Sequence, residues 1–182
     1  IESQPFGRSP RTGLLWALEN LAWSERYFMR TVLVLGHLAE RPIDDNLVNK
    51  PSESLSAIFR SWMPQTGASL DARKKALEKL AAKHPSVAWR ICLRQFSRRS
   101  GVGHYSSKPR WRPDGHGYGN PVGAVERHEF ELFAFQLAIN WPDHSSSTLS
   151  DLIEGLEDLD DSLRLQVWDV IDAWTETASE QD

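Results

Sequence analysis

The sequence predicts an all-α fold, and three observations carry that prediction. Apolar residues recur at three- and four-residue spacing through eight successive windows, and no segment shows sustained two-residue alternation. Prolines, serines and threonines fall where helices start and stop. The 182 residues, 40% hydrophobic and 25% charged, have the composition of an ordinary globular protein and the length for one well-packed domain. Collagen-like, coiled-coil-only and wholly disordered classes are thereby excluded.

Thr12 is placed to cap a first helix running to about Trp23, with Leu14, Leu18 and Leu21 as its inward stripe. Ser24 opens a second helix with Phe28, Val32, Leu35 and Ala39 on one stripe; it ends near Arg41–Pro42, where proline forbids continuation, and completes a hairpin. Pro51 and Ser52 open a short third helix carrying Leu55, Ile58, Phe59 and Trp62, closed by Pro64. Ser69 caps a fourth, to about His84, with Leu70, Leu77, Leu80 and Ala81 inward. Pro85 begins a fifth, to Phe96, with Ala88, Ile91, Cys92 and Phe96 on one face and Arg90 and Arg94 opposite.

Residues 97–123 break all periodicity and hold six of the 11 glycines and three of the 10 prolines, which predicts a long loop. A sixth helix follows from Ala124 to Trp141–Pro142, with Phe130, Phe133 and Leu137 inward. Ser147 or Ser150 begins a seventh carrying Leu149, Ile153 and Leu156, and Leu163, Val167, Ile171 and Trp174 mark the eighth. The expected organisation is an extended segment over 1–11 and one helical domain over 12–178, read as a fragment of a larger protein.

One cysteine, Cys92, allows neither an internal disulfide nor a zinc knuckle, and points to a reducing, cytoplasmic setting. Apolar runs such as Thr31 to Leu35 fall far short of the roughly 20 residues a membrane span requires, so no membrane association is expected.

ALENLA at 17–22 and ALEKLA at 76–81 match at five of six places, and LEDL at 156–159 echoes them before the eighth helix. With paired helices throughout, this resembles a HEAT- or armadillo-type solenoid; composition alone also favours such hexamers, so an irregular helical bundle stays open. GLLWALENLAW (13–23) and NKPSESLSAIFRSWMPQT (49–66) also resemble segments from helical regions of large bacterial multidomain proteins, some of defence type. That resemblance implies a scaffold or sensor segment whose chemistry lies elsewhere, and it transfers no site residue.

Charge is uneven. The net charge of −4 divides into −11 over residues 143–182 and +7 over residues 1–142. Residues 79–113 contain nine Lys or Arg and no acid. Arg90, Arg94, Arg98, Arg99, Lys108, Arg110 and Arg112 are the candidate phosphate- or partner-binding residues, and Tyr105 and Trp111 the candidate aromatic contacts, because cations interleaved with rings suit single-stranded nucleic acid. The competing reading pairs this basic face with the acidic seventh and eighth helices.

His104, His116 and His128, with Asp114, Glu126 and Glu131, are the residues that could serve as metal ligands, but HExxH and paired-cysteine spacings are absent and no metal site is expected. Neither glycine-rich nucleotide motif nor a nucleophile elbow is present, so no catalytic residue and no cofactor are expected. Of the eight tryptophans, Trp16, Trp62, Trp89, Trp168 and Trp174 read as packing residues. Trp23, Trp111 and Trp141 sit at element ends or in the loop, with a terminal clasp preferred for Trp23 and Trp141. The function expected is protein–protein interaction as a scaffold or sensor segment of a larger intracellular assembly, the partner being a separate protein or adjoining domains of the parent chain, with nucleic-acid binding through 79–113 as the alternative.

Overall fold

In the computed structural model, the described residues are 10–41, 43, 49–96, 105, 108–109 and 122–177. They are all-helical and contain no strand. The helices are α1 (Pro10–Leu21), α2 (Glu25–Ala39), α3 (Pro51–Ile58), α4 (Leu70–Lys83), α5 (Pro85–Phe96), α6 (Ala124–Ile139), α7 (Ser146–Glu154) and α8 (Asp161–Thr177), with a short 3₁₀ turn at Leu156–Asp158.

Local chemistry sets most boundaries where expected. Ser69 caps α4 by accepting the Ala72 N–H, and Pro85, which can occupy a first helical turn but not an interior, divides α4 from α5. Several boundaries differ from expectation: the second helix ends at Ala39 and the sixth at Ile139, each about a half turn before the expected proline stop. The first helix begins at Pro10, not after Thr12. The third stops at Ile58, which leaves Trp62 in the connection beyond it. The seventh begins at Ser146 because Ser145 and Thr148 form a reciprocal capping box, the Thr148 N–H donating to Ser145 Oγ at 3.3 Å and the Ser145 N–H to Thr148 Oγ1 at 2.8 Å.

The helices run alternately up and down. Ser69 reaches Glu25 at the start of α2, while Gly36 meets Leu80 and His84 at its end, so α2 and α4 run the same way. Phe96 packs on Phe135 and Trp89 on Trp141, which makes α5 and α6 antiparallel. Gln136 bonds Gln166, and Trp174 donates to the His144 carbonyl, so α6 and α8 are parallel. Contacts join α2 to α4, α4 to α6 and α6 to α8 in one row, and α1 to α3 and α3 to α5 in a second row behind it.

The core lies between these rows. Phe28 of α2, Phe59 just after α3 and Phe130 of α6 form an aromatic ladder, with ring centroids 6.3 Å and 6.4 Å apart. Trp23 is fully buried and Trp141 packs edge-on to Trp89 at 5.2 Å, so the terminal clasps form. Two of the buried stripes lie one residue out of phase with the expected ones. Leu15 is buried and Leu14 is exposed; Leu152 is buried and Ile153 is exposed; Trp16 and Trp168, expected in the packing, face outward. In α6 the fully buried positions are Phe130, Ala134, Phe135 and Ala138, with Phe133 and Leu137 only half-buried.

Candidate functional site

The expected basic surface is divided by the fold. Arg94 does not reach the acidic C-terminal helices; its guanidinium forks Glu53 of α3, with Nη2 to Oε1 at 3.0 Å and Nη1 to Oε2 at 3.3 Å, and it also donates to Ser56. This bidentate pair ties α5 to α3. Arg90 is exposed, and its Nε donates to the Ser86 carbonyl one turn earlier, at 3.2 Å. Lys79 lies on the other side of the pair, lining a shallow crevice with Met29 and Leu33 of α2. Lys79 of α4 thus borders α2, whereas Arg94 of α5 borders α3. What α5 takes from α7 is Asp151, which accepts the Trp89 indole N–H at 2.7 Å.

Lys108 and Tyr105 meet at Trp23. The ammonium lies 5.9 Å from the Trp23 ring and 5.8 Å from the Tyr105 ring, and the two rings meet edge-on at 5.6 Å. Burial raises the Tyr105 phenol above its ordinary pKa. These side chains pack against a buried indole, and their cation–ring contacts hold that packing together. Arg98, Arg99, Arg110, Arg112 and Trp111 lie outside the described residues.

The N-terminal half of α6 carries a second set of charges that composition did not single out. Arg73 of α4 has a side chain only 1% exposed; it pairs with Glu126 and lies 5.0 Å over the Phe130 ring. Its Nε and Nη1 are buried without a hydrogen-bond partner, and burial lowers its pKa, offset in part by Glu126. Lys74 pairs with Glu129 at 2.6 Å and covers Phe133. Glu131 takes Arg127 at 2.7 Å and the Ser61 hydroxyl at 2.8 Å. Glu126 and Glu131, weighed as metal ligands, are thus engaged by arginines, and among the described residues no three potential ligands converge. His128 borders a crevice of about 180 Å³ beside Asp160, smaller than pockets that hold ordinary ligands. His104, Asp114 and His116 lie outside the described residues.

The feature that position in the fold brings together is apolar. Among the described residues, the large apolar side chains left exposed are Leu14, Trp16, Tyr27, Val34, Val125, Ile153, Leu165 and Trp168. All but Val125 belong to the helices at the two ends of the rows, α1 and α2 at one end and α7 and α8 at the other. Leu165 is 65% exposed, Trp16 54% and Trp168 47%. Leu165 and Trp168, three residues apart on α8, adjoin on one face, and contiguous exposed apolar side chains mark interaction surfaces whereas scattered ones need no explanation. Around Leu165 and Trp168 the exposed residues of α8 include Asp161, Asp169, Asp172 and Glu176. No helix among the described residues is long and apolar enough to cross a membrane.

No protein-family model, no characterised protein and no solved structure matches this chain.

Proposed function

We propose that this chain is a non-catalytic helical scaffold or sensor module that binds protein through the outward faces of its end helices, within a larger intracellular assembly. The observation that carries this reading is that, among the described residues, all the exposed large apolar side chains but Val125 lie on α1, α2, α7 and α8. Rows of like-directed helices, each burying its inner face on the next, support the HEAT- or armadillo-type reading of the arrangement, in which each unit contacts its neighbours; a terminal cap of such a stack has a polar outer face, and apolar end faces therefore call for a partner. The engagement of Arg94 by Glu53 and the packing of Lys108 and Tyr105 on Trp23 withdraw groups that a phosphate-binding surface would use.

The test is co-purification from the source cells of the wild-type chain and a Leu165→Glu/Trp168→Glu variant, each with and without nuclease. A protein retained by the wild type, nuclease-resistant and lost from the variant, is the expected result. Recovery of nucleic acid by both forms, released by salt, would replace this reading with the nucleic-acid one.

A further inference from the structure

We infer that copies of this chain associate head to tail, with α8 of one molecule against α2 of the next. The inference rests on the end faces being interfaces, and it names their occupant.

The two faces are complementary in charge and alike in build. Along α8, Asp161, Leu165, Trp168 and Asp172 follow at spacings of four, three and four residues, so they form one stripe, with Glu176 one turn on and Asp169 beside it; all are exposed. Gln166, which bonds Gln136, faces α6. Along α2, Tyr27, Arg30, Val34 and His37 form the matching stripe at spacings of three, four and three, also exposed, with Glu40 and Arg41 just beyond the helix end. The opposite side of α2 is occupied by α4, through Met29, Leu33 and Gly36.

Each stripe therefore places an aromatic and an aliphatic side chain beside charge of mainly one sign: Asp169, Asp172 and Glu176 on α8, where Asp161 is paired with Arg164, and Arg30 on α2, with Arg41 beyond the helix end next to Glu40. Apolar surface supplies the attraction and opposite charge selects the partner and its register.

Geometry selects the same pairing. α2 and α8 are the end helices of a row in which α2, α4, α6 and α8 run the same way, so α2 of a second copy laid on α8 continues that row. The row behind ends in α7 and α1, which also carry exposed apolar side chains, Ile153 on α7 and Leu14 and Trp16 on opposite flanks of α1. The contact joins unlike faces, so it builds a closed ring or an open chain with one free face at each end, instead of a two-fold dimer.

Sedimentation velocity from about 1 μM to about 500 μM protein, a range that brackets weak self-association, tests the inference. Repeating it at about 50 mM and about 500 mM salt separates the charge contribution, because exposed pairs are screened over this range. The wild type is expected to grow in mass stepwise with concentration, and less so at high salt. Leu165→Glu/Trp168→Glu and Tyr27→Glu/Val34→Glu, each shown by circular dichroism to keep its helices, are each expected to remain monomeric.

Mixed together, these two variants retain one intact face each and should give a one-to-one complex that grows no further. A charge-swapped pair, Arg30→Glu/Arg41→Glu with Asp169→Arg/Asp172→Arg, should associate with each other better than either does with the wild type. A wild type monomeric throughout overturns the inference, and so does self-association that survives in the Tyr27→Glu/Val34→Glu variant. If a different protein is captured through Leu165 and Trp168 while the chain stays monomeric, the interaction-module reading stands and head-to-tail association falls.

Discussion

Arg73 lies face-on to Phe130, its guanidinium carbon 5.0 Å from the ring centroid, and the pair joins the start of α4 to α6 in the centre of the molecule. The side chain is 1% exposed, Glu126 supplies its counter-charge from a half-exposed position, and two of its nitrogens lack partners. A buried charge held by one carboxylate is a weak stabiliser that becomes a liability when the carboxylate is removed, because desolvation of the remaining ion goes uncompensated. Glu126→Gln should therefore lower unfolding free energy by about 1–3 kcal/mol, whereas Arg73→Met, which fills the volume with no charge, should change it by less than about 1 kcal/mol or raise it. Urea denaturation of the two variants and their double mutant measures both. A costly Arg73→Met beside a harmless Glu126→Gln would show that the guanidinium contributes more than its pairing.

Two glycines in helices should respond in opposite directions to alanine. A Cβ at Gly36 would sit 2.6 Å from Leu80 Cδ1 and 2.8 Å from His84 Cδ2, against a fully buried leucine, so α2 and α4 must move apart to accept it. Gly36→Ala is expected to destabilise by about 1–3 kcal/mol in spite of the better helix propensity of alanine. At Gly13 in α1 nothing lies within 4 Å of the added carbon. Gly13→Ala should stabilise by about 0.5–1 kcal/mol, read as a rise in melting temperature. Equal shifts of the same sign would mean that the α2–α4 approach is looser than the structure describes.

Trp89 ties α5 to α7 by a 2.7 Å bond from its indole N–H to Asp151 and packs on Trp141 and His144. Trp89→Phe keeps the ring contact in part and leaves the carboxylate without its donor. A loss of about 1–3 kcal/mol is expected. Asp151→Ala in the Trp89→Phe background should then add little, and a double-mutant cycle checks that non-additivity.

Cys92 is buried and its thiol is pushed up to about 12 by burial. At pH 8 it is a neutral, inaccessible thiol, so a thiolate-directed reagent should label the native chain only as fast as the core opens. Labelling that tracks denaturant concentration through the unfolding transition is the expected outcome. Rapid labelling of the folded chain would place Cys92 outside the core.

Much of this architecture was legible because short-range chemistry writes it. Ser69, Pro51 and Pro85 announce helix starts through a cap and a missing N–H, and the structure begins helices at or just after each of them. Ser145 was harder to read because Ser145, Ser146, Ser147 and Thr148 are all competent caps, and only the reciprocal bond to Thr148 chooses among them. Periodicity placed the stripes to within one residue but not their phase, since Leu14 and Leu15, or Leu152 and Ile153, satisfy the same spacing until a neighbour selects one.

The candidate site was less legible. Arg73 falls on the buried stripe of Ala76, Leu77 and Leu80 by spacing alone, but a charged residue at such a position reads as solvent-facing unless its partner, 53 residues away in Glu126, is known. The exposure of Trp16 and Trp168 depends on which helices end the rows, a property of the whole stack that no local window contains.

The central claim, that the end faces of the stack are protein interfaces, is tested most directly by a photo-crosslinking side chain at position 168, with position 90 as the comparison, in the source cells. The account predicts discrete protein adducts at 168, including adducts with a second copy of this chain through α2, and none of comparable yield at 90. Nucleic-acid adducts at 90 with no protein adduct at 168 would contradict it.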